Sequence, residues 1–312
     1  MPALYTVLAV VIIIILLVVF FGGYIAYRLA FKHIPNKDED IFATLSRHPE
    51  FEEVRRKYIE SMLALPFEEV RIKSRDGLTL YARYYHVKDG APLEIQFHGY
   101  KSISRRDFSA SGTECHNAEY NLLLVDQRSH GMSEGRVISF GIKERFDAID
   151  WVNYARARFG ENQKMILYGI SMGAATVLMA AGEEELPESV VGIVADCPYS
   201  TPIDIIALVA KKLHIPTPVT RIIAPIGARI YGGFSLCETS PKEAVGRARV
   251  PILLIHGDAD KFVPCYLSEE IAAQNENIRF IKIEGAGHGF GYLVDTKKYT
   301  DEVNAFVNRL AK

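Results

Sequence analysis

Three short stretches hold side chains whose types and spacing could do chemistry together. The first is Gly169-Ile170-Ser171-Met172-Gly173, lying between an apolar strand-like run, Lys164 to Tyr168, and a small-residue helical run, Ala174 to Ala181. A serine in that context sits on a sharp strand-to-helix turn that exposes its hydroxyl, and the flanking glycines let backbone and helix approach without a Cβ clash. Acyl transfer through a serine needs two more groups, a histidine to take its proton and a carboxylate to orient that histidine. The chain offers these downstream, in the order Ser, Asp, His. They lie in His256-Gly257-Asp258-Ala259-Asp260-Lys261-Phe262-Val263-Pro264 and in Gly285-Ala286-Gly287-His288-Gly289.

These stretches follow apolar runs, and the runs predict what positions them. Phe67 to Lys73 and Leu78 to Val87 read as a hairpin across Ser74-Arg75-Asp76-Gly77, where Asp-Gly supplies the turn. Leu93 to Phe97, Asn121 to Val125, Met165 to Tyr168, Val190 to Ala195, Pro251 to Ile255 and Ile278 to Ile283 follow as short buried strands. Helical patterns lie between most of them, notably Lys143 to Phe159, Ser171 to Gly182 and Tyr266 to Asn275. Such alternation predicts an α/β fold: an eight-stranded, mostly parallel sheet with helices on both faces and the ligand site at the carboxyl ends of the strands.

With the motifs placed at strand ends, the region from Phe67 to the C-terminus resembles the α/β-hydrolase fold family, in particular its small-lid serine hydrolases. The resemblance rests on His98-Gly99 after the third strand, Asp126-Gln127-Arg128-Ser129-His130-Gly131-Met132-Ser133 after the fourth, G-I-S-M-G after the fifth, and HGDADKFVP and GAGHG after the seventh and eighth. It implies that Ser171 is the nucleophile, His288 the general base and Asp260 the acid, with Asp258 and Asp196 as competitors for the acid. It also implies an oxyanion hole built from the backbone N–H groups of Met172 and Tyr100. The glycine-rich H-G-G-G form of some lipases is absent from this loop. His98 is expected to brace the loop, and Asp126, Arg128, His130 and Ser133 to serve structure, with a buried Asp126–Arg128 pair holding the turn.

Outside this region the chain carries further signals. Met1 to Tyr27 has no charged side chain and Val7 to Phe21 is unbroken apolar sequence, long enough to cross a bilayer as a helix. Residues 1–31 are therefore read as a single-pass membrane anchor. Arg28, Lys32 and Lys37 follow it, and the positive-inside rule places the catalytic body in the cytoplasm, although Asp38, Glu39 and Asp40 dilute that cluster. Residues 32–65, with Phe42, Leu45, Phe51, Val54, Tyr58 and Met62 at helical spacing, suit an amphipathic connector that packs on the body or lies on the membrane; the sequence does not choose. Residues 66–312 form the catalytic domain, and within it about 198–245 is expected to be a small helical lid with apolar residues facing the pocket.

Composition excludes little else. Charge is nearly balanced, 36 basic against 38 acidic residues, and no nucleic-acid module is visible. Cys115, Cys197, Cys237 and Cys265 show no metal spacing and read as dispersed thiols. The expected activity is hydrolysis of a small-molecule or lipid carboxylic ester through an acyl-enzyme, with no metal or organic cofactor required. The same triad serves peptides and acyl-protein thioesters, and a non-catalytic membrane-tethered interaction module is the remaining reading.

Overall fold

The structure, a computed structural model, describes residues 2–37 and 40–311. Met1 of the expected anchor, the acidic pair Asp38 and Glu39, and Lys312 of the expected catalytic domain lie outside the described residues. Eight strands form one sheet: β1 (Glu68–Lys73), β2 (Thr79–Tyr85), β3 (Leu93–Phe97), β4 (Asn121–Asp126), β5 (Met165–Ile170), β6 (Val190–Asp196), β7 (Ile252–Gly257) and β8 (Ile278–Ile283), in the order β1-β2-β4-β3-β5-β6-β7-β8. β2 runs antiparallel to both β1 and β4, and every other neighbouring pair is parallel. The Asp-Gly turn closes the hairpin as its sequence predicts, with Gly77 at φ +89°.

Helices cover both faces of the sheet, and the alternation of side chains along each strand decides which residue goes where. Leu123, Leu167, Ile193 and Leu254 point to one face, where they meet α5 (Glu144–Phe159), α6 (Met172–Ala181), α9 (Pro241–Val245) and α10 (Tyr266–Ala272). Leu122, Leu124, Ile166, Tyr168 and Ile255 point to the other, against α2 (Glu52–Ala64), α3 (Ser104–Asp107), α4 (Ser111–Asn117), α11 (Gly291–Val294) and α12 (Thr296–Ala311). The inner strands are buried on both sides, so they read as nearly continuous apolar sequence. Glu94 and Gln96 of β3 are buried exceptions that hydrogen-bond each other at 2.9 Å.

α1 (Pro2–Ala26) continues through a π-helical turn, Tyr27–Phe31. Leu4–Phe31 is long and apolar enough to cross a membrane, the one such helix among the described residues, and its side chains stand exposed along most of its length. Phe31 is buried, packing against Phe140 and Phe234. Between β6 and β7 the chain inserts α7 (Pro202–Lys212), α8 (Thr217–Gly227), a second π-helical turn, Ala228–Gly232, and α9. The connector chooses the body: Ile59 and Met62 of α2 and Leu45 ahead of it are buried, and the Tyr58 hydroxyl lies 3.2 Å from that of Tyr292.

Candidate active site

Ser171 follows β5, a central strand, and caps α6. Its backbone adopts φ +56°, ψ −113°, a sparsely populated conformation of the kind held only where the surroundings enforce it. The enforcement is visible in its glycine neighbours. A Cβ on Gly173 would stand 1.7 Å from the Phe97 carbonyl oxygen, and one on Gly169 would stand 2.2 Å from that of Gly173. Only glycine lets β5, β3 and α6 converge this closely, and the convergence lifts the serine hydroxyl to the edge of the sheet.

Three strand ends bring the predicted residues together. The Ser171 hydroxyl donates to His288 Nε2 at 2.9 Å, and His288 Nδ1–H donates to Asp260 Oδ2 at 2.7 Å. Burial pushes the Asp260 carboxyl up, but hydrogen bonds from His256 and His288 and from the Val263 amide outweigh it and hold the group well below the ordinary carboxylate range. The competitors are engaged elsewhere. Asp258 accepts the Gly285 N–H at 2.7 Å, and buried Asp196 accepts the Tyr299 hydroxyl at 2.8 Å.

The Met172 N–H is the first of α6 and has no acceptor within its own helix. After β3, the Gly99 N–H is taken by Asp107 at 2.7 Å and the Lys101 N–H by His130 Nε2 at 3.1 Å. The amide between them, that of Tyr100, makes no hydrogen bond to another described residue. His130 Nδ1–H donates to the Arg128 carbonyl, and burial holds this imidazole neutral, which leaves Nε2 free to accept. His98 braces the same loop by accepting the Gln127 N–H at 3.0 Å.

Two expectations need correction. Asp126 does not pair with Arg128; it accepts the Ser104 hydroxyl and the Met132 N–H, while Arg128 pairs with Asp147 at 2.6 Å and Asp76 at 2.8 Å. Nor do apolar residues of 198–245 face the pocket. The cavity beside Ser171, about 340 Å³, is walled among others by Arg55 and Tyr58 of the connector, Phe108, Phe290, Leu293 and Val303. None of its lining residues belongs to that insert.

Sequence reasoning also missed two neighbours of the site. His256 Nε2–H donates to the Val263 carbonyl at 2.8 Å and lies 3.2 Å from Asp260 Oδ2, while the Ser268 hydroxyl donates to its Nδ1. The Cys197 thiol lies within 4.8 Å of Asp260 and His288, and burial keeps it protonated. The signal for His256 was its place at the end of β7, four residues before Asp260.

The fold recurs in solved structures. Esterase Pf2001 of Pyrococcus furiosus superposes with a TM-score of 0.63 over 80% of this chain and 95% of its own, at 22% identity. The chain has the α/β-hydrolase fold. A family model described as serine aminopeptidase, S33, matches residues 95–244 of this chain. The uncharacterized protein YqkD of Bacillus subtilis is 25% identical over 193 residues, which is 61% of this chain and 63% of YqkD, less than two thirds of that relative. An uncharacterized protein of Mycobacterium tuberculosis is 23% identical over 251 residues, 78% of this chain and 80% of its own.

Proposed function

We propose that this hydrolase is a membrane-anchored esterase that cleaves carboxylic esters of small molecules or lipids on Ser171. The observation that carries the reading is the relay from Ser171 Oγ to His288 Nε2, 2.9 Å, and from His288 Nδ1 to Asp260, 2.7 Å. Ser171 Oγ attacks the ester carbonyl as its proton passes to His288, and Asp260 stabilises the imidazolium. The oxyanion is held by the Met172 and Tyr100 amides; the alcohol leaves with the proton from His288, and water repeats the cycle on the acyl-enzyme. The cavity walls of Phe108, Phe290, Leu293 and Val303 suit an apolar acyl group.

Aminopeptidase chemistry is the competing reading, and it calls for a carboxylate in the wall to receive the substrate ammonium. Each acid in the wall already accepts a hydrogen bond: Asp107 from Ser102, Glu114 from Tyr292, Glu94 from Gln96 and Asp196 from Tyr299. The test is full-length protein in detergent, labelled with a fluorophosphonate and assayed against graded acyl esters, acyl thioesters and aminoacyl amides. Labelling of wild type, none of Ser171→Ala, and turnover of the esters is expected. Equal labelling of both proteins would remove the nucleophile, and turnover confined to amides or thioesters would remove the substrate class.

A further inference from the structure

The apolar residues of the insert that turn away from the pocket follow a pattern. In α8 and the turn after it, Val219, Ile222 and Ile230 are exposed at helical spacing, and Leu213 stands exposed just before α8. Their neighbour is α1. Gly23 and Gly227 bring the two helices into backbone contact: a Cβ on Gly227 would stand 2.5 Å from the Gly23 carbonyl oxygen, and one on Gly22 would stand 3.2 Å from Ile223. Contacts through small residues of this kind are how helices pack within a bilayer, where close backbone approach replaces the hydrophobic drive.

The depth of the contact gives it meaning. Ile230 lines a groove with Ile13, Leu16, Leu17, Val19 and Phe20 of α1, and the Tyr231 hydroxyl donates to the Phe20 carbonyl at 3.1 Å. Tyr231 also packs against the rings of Tyr24 and Tyr27, beside Arg28, an aromatic and basic cluster suited to a membrane–water boundary. Phe20 lies eight residues before Arg28, about 12 Å along the helix axis at about 1.5 Å per residue. Whatever surrounds α1 at Phe20 therefore also surrounds Ile230.

We infer that the outer face of α8 and its following turn, Val219, Ile222 and Ile230, is embedded in the same bilayer leaflet as the end of α1, so that the insert docks on lipid acyl chains. The inference rests on the reading of α1 as a membrane anchor. It gives the exposed Val219, Ile222 and Ile230 an apolar environment, while Ile205, Ile206, Ala224 and Phe234 of the insert pack inward with Phe31, Phe140 and Met172. Arg229, exposed beside Ile230, reaches the headgroup level, where long basic side chains are at home.

The experiment places single added tryptophans in the full chain, reconstituted in phosphatidylcholine vesicles whose acyl chains carry bromine as a quencher. Val11→Trp reports on the anchor, Ile222→Trp and Ile230→Trp on the insert, and Leu63→Trp on the connector; all four positions are exposed, and fluorophosphonate labelling checks that each variant is folded. Buried Trp151 supplies the constant background. The added emission at 11, 222 and 230 is expected to be largely quenched by brominated lipid and that at 63 to be unaffected. Quenching at 11 without quenching at 222 and 230 overturns the inference and leaves the anchor standing. Absence of quenching at 11 removes the anchor and the inference together. Protection at 222 and 230 from both brominated lipid and aqueous iodide overturns it in favour of a second protein copy covering the face.

Discussion

The phenol of Tyr100 donates a 2.8 Å hydrogen bond to the carbonyl of Ala30, tying the loop after β3 to the end of α1. The π-helical turn makes the bond available. There the Lys32 N–H reaches back to Tyr27, and the carbonyls of Leu29 and Ala30 are left facing the loop, where Lys101 Nζ also approaches Leu29. Tyr100→Phe keeps the backbone amide and the ring contact with Phe140 but releases the loop. Removing an oxyanion donor outright costs about 10²–10³ in kcat, so a loosened donor should cost about tenfold, with KM little changed. Steady-state kinetics on an ester substrate checks this; an unchanged kcat would mean that the tie does not position the loop.

His256 Nε2 lies 3.2 Å from Asp260 Oδ2, the same oxygen that accepts His288 Nδ1–H. Exchange of His256 for Gln removes a donor near the carboxylate and disturbs bonds to the Val263 carbonyl and the Ser268 hydroxyl, all buried. An unsatisfied buried polar group costs about 1–3 kcal/mol, so His256→Gln should lower thermal stability by that order and lower kcat as well. Thermal unfolding followed by kinetics at a temperature where the variant is folded separates the two effects. Full kcat at full folding would assign His256 to stability alone.

Much of this arrangement was legible in the sequence, because a parallel sheet puts its chemistry after its strands and each motif followed an apolar run. That rule located the stretches holding Ser171, Asp260 and His288, and the resemblance to α/β-hydrolases chose Asp260 over Asp258 and Asp196. Pairings set by the third dimension were not legible. Arg128 lies two residues from Asp126, yet Asp126 turns to Ser104, and the arginine finds Asp76 in the hairpin turn and Asp147 on α5. The cavity wall combines residues near 55, 108, 290 and 303, separations over which periodicity carries no information. The sequence marked about 198–245 as a helical insert with apolar residues, but it could not tell apolar side chains that face the pocket from those that face α1.

Gly173 is the most constrained position of the elbow. With a Cβ 1.7 Å from a backbone oxygen of β3, Gly173→Ala forces β3 and α6 apart at the centre of the core. The expected loss exceeds about 4 kcal/mol, enough to leave the chain unfolded or aggregated. Gly285→Ala, at φ +72° but with open space around its Cβ, should cost only about 1 kcal/mol. Soluble yield in detergent and thermal unfolding of the two variants test the contrast; similar losses would show that backbone conformation, not the close approach, sets the requirement.

Asp260 predicts an acid dependence whose sign can be worked out. Its carboxyl is held below its ordinary value of 3.8 in the folded protein, so between those two values the unfolded chain binds more protons than the folded one. Stability from this group is present above the ordinary value and is lost as pH falls through the folded one. Asp260→Asn lacks this contribution at neutral pH and has none to lose in acid. Thermal midpoints of both proteins in detergent, followed from about pH 7 to about pH 3, should therefore converge as pH falls, with wild type declining more steeply below about pH 4. Parallel curves would mean that the hydrogen bonds from His256, His288 and the Val263 amide do not favour the ionised carboxylate.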